Sequence, residues 1–209
     1  MLTIVWDVDD VLNDLTRLWL AQMWRPVHPD APAFAELTEN PPHALLGTSL
    51  AAYLASLDDF RHSGVCVEQP PLCEVREWFG EHGAQFRHVA LTAVPLHAAG
   101  LSAAWVLRHY GSWIRSFNVV PSPRQGDVPA PMEHDKAAWI AWAGVADVFV
   151  DDSQENVDTV RRAGVPALLF PRPWNADSGR PVADLLSELA ALARAAARPS
   201  EESLPWRSV

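Results

Sequence analysis

Two periodicities alternate along this chain. Residues 2–6 form a short apolar, β-branched run that stops abruptly at Asp7, the pattern of a buried parallel strand reaching its carboxyl end. Similar runs recur at residues 88–91, stopping at Thr92, at 117–120, stopping at Pro121, at 148–150, stopping at Asp151, and at 167–170, stopping at Pro171. Between and after them apolar positions fall at helical spacing, at about residues 70–82, 96–110, 132–143, 153–163 and 181–197. Gly83, Gly111, Gly144 and Gly164 stand where four of these helices would end. Strand and helix in alternation predict an α/β fold, a doubly wound parallel sheet of Rossmann-like type.

The alternation fails once. The connection between the first two strands is far longer than the roughly 10 to 12 residues of a minimal crossover. It predicts an inserted helical module over residues 15–69, with helices near 14–25 and 48–58 joined by proline-rich segments at 26–32 and 40–43. Residues 1–14 and 70–197 then form the α/β core, and the polar, aperiodic residues 198–209 a mobile tail. Trp19, Trp24, Tyr53 and Phe60 fall within the insert and read first as that module's own core.

Composition narrows the partners. The 209 residues are 49% hydrophobic and 20% charged, enough for one buried core and an accessory module. A formal net charge of -10, with basic residues scattered, disfavours a nucleic acid polymer. No apolar stretch approaches the ~20 residues that span a bilayer, and no leader pattern opens the chain, so the expected compartment is the cytoplasm. Cys66 and Cys73 lack metal-ligand spacing and read as buried or incidental thiols.

The candidate chemistry lies at the strand ends, where open parallel sheets bind ligands. Asp7 with Asp9 closes the first strand, Thr92 the second, and Asp151 with Asp152 the fourth; Lys136, the chain's only lysine, stands on the helix before that last pair. Neighbouring strands lie about 4.8 Å apart, so these carboxylates would crowd together, and a hard divalent cation such as Mg2+ would answer their repulsion. Taken alone each residue has a bland reading: turn former, helix cap or solvated surface group. Asp10 and Asp14 read as capping or solvated acids, and His134 as a surface residue.

Together the residues resemble the four motifs of the haloacid dehalogenase superfamily, in order: the DxDx[TV] pattern at residues 7–11, Thr92, Lys136, and an acidic pair with Asn156 at residues 151–156. The resemblance implies a Mg2+-dependent phosphomonoester hydrolase acting through an aspartyl-phosphate. Asp7 would be the nucleophile and Asp9 the general acid and base; Thr92 and Lys136 would hold phosphoryl oxygens. Asp7, the Asp9 carbonyl and Asp152 would bind the metal, while Asp151 and Asn156 would ligate or support it. The segments at residues 7–14 and 150–157 are also similar to the deoxyribonucleotidase branch. The substrate would be a small phosphorylated metabolite, a nucleotide among the alternatives, with the insert as a substrate-selecting cap carrying Trp24, Asn40 and His43. Two other readings stand beside this one. A phosphomutase would use the same machinery, whereas a receiver-like signalling module would have no acidic pair after the Lys.

Overall fold

The computed structural model of the chain describes residues 1–122, 124 and 131–197, so the tail expected at 198–209 lies outside the described residues. Five strands, β1 (Thr3–Trp6), β2 (Arg87–Thr92), β3 (Ile114–Val119), β4 (Val148–Asp151) and β5 (Ala167–Leu169), form one parallel sheet in the order β3-β2-β1-β4-β5. The chain builds outward from β1 on one side and then returns to the other. The switch point therefore lies between β1 and β4, at the strands that carry Asp7 and Asp151.

The period of two along each strand divides its side chains between two cores. Ile4, Trp6, Val148 and Val150 face one side, where they meet α4 (Cys73–His82), α5 (Leu96–Tyr110) and α8 (Val182–Ala197) through Val75, Phe79, Val106, Tyr110 and Leu185. Val5, Leu91, Phe149 and Leu169 face the other, against α6 (Lys136–Ala143) and α7 (Gln154–Arg162) through Trp139, Ile140, Val157 and Val160. Helix starts are fixed by side chains: Asp135 accepts from the Ala138 N–H and Ser153 from the Asn156 N–H. Gly144, at φ 61°, ends α6 in the left-handed conformation that glycine adopts most easily.

Residues between β1 and β2 make α1 (Leu15–Trp19), a π-helical continuation (Leu20–Trp24), α2 (Leu50–Arg61) and the short α3 (Gly64–Val67). They enclose a third apolar cluster around Trp19, Trp24, Tyr53, Leu57 and Phe60, separate from the two sheet cores. Some element boundaries differ from the sequence expectation; α4, for one, starts at Cys73 rather than at about 70. β3 starts three residues earlier, at Ile114, because an edge strand tolerates the exposed Arg115 and Ser116 that broke the apolar run. α6 starts at Lys136 rather than at 132, since Asp135 caps it and Glu133 has φ 47°. α2 runs on to Arg61, three residues past its expected end. Among the described residues no helix is long and apolar enough to cross a membrane.

One buried polar group sits in the sheet core. His88 accepts at Nδ1 from the Trp6 indole (3.0 Å), which leaves Nε2 to donate to the Gly83 carbonyl (2.9 Å). Burial lowers its pKa from 6.5 to about 4, and the Gly83 carbonyl offsets only part of that. The unfolded chain binds a proton near pH 6.5 that the folded chain refuses until about pH 4. Stability contributed by neutral His88 is therefore complete above pH 6.5 and is lost as the pH falls towards 4, by up to about 1.4 kcal/mol per pH unit. The difference in urea-unfolding stability between the native chain and His88→Gln should therefore shift against the native chain as the pH falls from 7.5 to 5, because the variant has no histidine there to protonate on unfolding.

Candidate active site

The loop after β1 is shaped before any ligand arrives. The Asp7 N–H donates to the Val150 carbonyl (2.9 Å), tying the ends of β1 and β4 together. The chain then turns through Asp10, at φ 61°, under the control of Asn13. Asn13 Oδ1 accepts from the N–H groups of Asp10 and Leu15, and its Nδ2 donates to Asp9 Oδ1. From beyond β5, Arg172 donates to the main-chain carbonyls of Asp10 and Asn13 and pairs with Asp14. Asp10 is buried, not solvated: its carboxylate accepts from both N–H and hydroxyl of Thr16, so it fixes the start of α1.

Lys136, 4% exposed, projects from the first position of α6 between two carboxylates: Nζ lies 2.7 Å from Asp7 Oδ1 and 2.6 Å from Asp151 Oδ2. Asp151, fully buried, also accepts from the Ser153 N–H and from Asn156 Nδ2. Asp152 turns the other way, where its Oδ2 accepts from the Trp174 indole (2.9 Å) and from Asn40 Nδ2 (3.4 Å). One oxygen each of Asp7, Asp151 and Asp152 lies within 4.8 Å of the others. Thr92, buried at the carboxyl end of β2, lines the same cleft. The structure thus brings Asp7, Asp9, Thr92, Lys136, Asp151, Asp152 and Asn156 to one cleft of about 290 Å³.

The insert closes one side of this cleft with Asn40, Tyr53, Leu54, Leu57 and Arg61. Two expected insert residues lie elsewhere. Trp24 is 7% exposed inside the insert's apolar cluster, beside Trp19, because its indole gains more by packing there than by facing the aqueous cleft. His43 bonds the Pro41 carbonyl and does not line the cleft. Several residues were not anticipated: Asn13, Asp58, Arg61, Arg124, Arg172 and Trp174. Arg61 Nη1 lies 2.5 Å from Asp9 Oδ2, across 52 positions of sequence, and Arg124 grips Asp58 through two bonds of 2.7 and 2.8 Å. No local spacing signals such pairs.

No family profile matches the sequence, and no curated protein matches it. Solved structures do. A haloacid dehalogenase-like hydrolase from Streptococcus pneumoniae aligns over 90% of this chain and 98% of its own, at 10% identity and a TM-score of 0.59. A haloacid dehalogenase family hydrolase from Deinococcus radiodurans R1, with bound phosphate and sodium, aligns over 93% and 96%, at 18% identity and 0.53. The fold is haloacid dehalogenase-like. A β-phosphoglucomutase-like structure from Thermotoga maritima aligns over 90% of this chain and 100% of its own, at 15% identity and 0.50. In this haloacid dehalogenase-like fold the sequence pattern of strand ends at Asp7, Thr92 and Asp151 coincides with one site.

The electrostatics of the site ask for more positive charge. Burial raises the Asp7 pKa to about 7; Lys136 opposes the rise and Asp151 adds to it. Burial, followed by Asp151 and Asp7, also holds Asp152 well above the usual carboxylate range. Burial works against the Lys136 ammonium, but Asp151 and then Asp7 outweigh it and raise its pKa. One ammonium thus faces three buried carboxylates. An all-oxygen donor set with excess negative charge fits a hard divalent cation such as Mg2+. Calorimetric titration with Mg2+ should show a single site in the native chain, and Asp152→Asn, which keeps the shape but removes one charge, should weaken it by about tenfold or more.

Proposed function

We propose that the chain is a Mg2+-dependent phosphomonoester hydrolase acting on a small phosphorylated metabolite. The observation that carries this reading is the buried Asp7 carboxylate at the switch point, in contact with the Lys136 ammonium and flanked by Asp151, Asp152, Thr92 and Asp9. A carboxylate so placed is a nucleophile with a cation ready beside it for the oxygens of a phosphoryl group.

In the first step an oxygen of Asp7 attacks phosphorus in line, the bond to the leaving oxygen breaks, and Asp9 gives that oxygen its proton. In the second step water attacks phosphorus, Asp9 takes its proton, and the phosphorus bond to Asp7 breaks to release inorganic phosphate. Thr92 and Lys136 hold the non-bridging oxygens throughout. Asp151 and Asn156 keep Lys136 aimed, since Asp151 bonds both. Asp7, Asp152 and the Asp9 carbonyl would hold the Mg2+, which when bound neutralises phosphoryl charge. Residues 1–14 and 70–197 act as the catalytic core, and residues 15–69 as a helical cap whose cleft face selects the substrate. The free thiols Cys66 and Cys73 suit a reducing compartment such as the cytoplasm.

Hydrolysis of an aryl phosphate should require Mg2+ and fall by about 10³-fold or more in Asp7→Asn, because an amide is a poor nucleophile. Asp9→Asn should cost about 10² to 10⁴-fold on alkyl phosphates and less on aryl phosphates, whose leaving groups need less protonation. Activity retained in Asp7→Asn, or an equal loss on both substrate types in Asp9→Asn, would remove the corresponding role.

A further inference from the structure

Both oxygens of Asp9 are engaged. Oδ1 accepts from Asn13 Nδ2 (3.1 Å), a bond internal to the loop after β1, whereas Oδ2 lies 2.5 Å from Nη1 of Arg61, which belongs to the helical insert. A carboxylate oxygen held against a guanidinium is not placed to hand a proton to a leaving group, so the contact with Arg61 has to open during turnover. Opening it without replacement is unfavourable. Arg61 is 9% exposed, its Nε has no hydrogen-bond partner, and its next acid, Asp58 Oδ1, is 3.7 Å away from that nitrogen. A buried guanidinium that surrenders one carboxylate requires another anion.

We propose that Arg61 reads the substrate: it takes a second anionic group, carboxylate or phosphate, on the leaving group of the phosphomonoester, and in moving to that group it frees Asp9 for proton transfer. This rests on the roles of Asp7 and Asp9 given above and goes beyond them by naming the substrate class. The cleft is built for such a molecule. Asp7, Thr92 and Lys136 stand at its core side, while Tyr53, Leu54, Leu57 and Arg61 line it from α2, with Arg124 contributed by the segment after β3. Asp58 braces the two arginines, bonding Arg124 through both oxygens and lying beside Arg61. Guanidinium groups fixed in this way match the planar geometry of carboxylate and phosphate oxygens. An uncharged leaving group supplies no new partner, so Arg61 stays on Asp9 and turnover is slow.

The test uses the full chain with Mg2+ and four compounds: carboxymethyl phosphate, its methyl ester, ethane-1,2-diyl bisphosphate and an aryl phosphate as reference. Native enzyme should favour at least one anionic alkyl substrate over the methyl ester by about tenfold or more in kcat/KM. The carboxylate and bisphosphate arms show which anion is read. Arg61→Gln should lose about tenfold on the anionic substrate and gain severalfold in kcat on the ester, so that the preference collapses, while Arg61→Lys should keep part of it. A merely structural arginine would lower all rates by one factor in variants that remain folded by circular dichroism, and that result overturns the proposal. So does a native enzyme active on the aryl phosphate that shows no preference for either anion. A native enzyme inert towards all four compounds overturns the hydrolase reading itself, and this inference with it.

Discussion

Everything at the switch point depends on one buried ammonium. Lys136 reaches between Asp7 and Asp151, the residues at the carboxyl ends of β1 and β4, and without it two adjacent strands would bring two nearly buried carboxylates together without a counter-charge between them. A buried ion pair of this kind is weak evidence of stabilisation, since desolvating three charges can cost more than their attraction returns. Its effect is to hold the Asp7 carboxylate in one position. The groups around it serve the same end: Ser153 and Asn156 bond Asp151, Asp135 starts the helix from which Lys136 projects, and the Asp7 N–H is tied to β4.

A second layer of polar contacts joins the insert to this centre. Arg61 from α2 reaches Asp9, Asn40 reaches Asp152, and Trp174 bridges the two parts by donating to Asp152 while its ring packs edge-on against Phe34. The insert keeps its own apolar cluster, with Trp19, Trp24, Tyr53 and Phe60 inside it. Its contacts with the site include the polar bonds of Arg61 and Asn40 and the Trp174–Phe34 ring contact.

The sequence carried the fold class because parallel strands buried on both faces leave short β-branched runs with abrupt polar ends, and helices between them leave glycine stops. Asp7, Asp9, Thr92, Lys136, Asp151, Asp152 and Asn156 were legible for the same reason: a doubly wound sheet delivers its strand ends to one edge, so position along the chain is nearly position in the site. β3 was read short because its edge position permits Arg115 and Ser116, and α6 was read long because Asp135 rather than the apolar pattern sets its start. Trp24 was legible as a core aromatic and was misplaced as a cleft residue, since composition does not say which way an indole faces.

What the tertiary structure alone decided is which charges meet. Nothing in the local sequence links Arg61 to Asp9, Arg124 to Asp58, Arg172 to the carbonyls of Asp10 and Asn13, or Trp174 to Asp152. Periodicity encodes burial, because burial repeats with the helix and the strand. Ion pairs between distant segments do not repeat, and they form only once packing has fixed the distance between two elements. The chain by itself thus determined a haloacid dehalogenase-like sheet and the acids at its edge, while the folded molecule decided how each acid is held, with Asp7 on a buried lysine and Asp9 on an arginine lent by the insert.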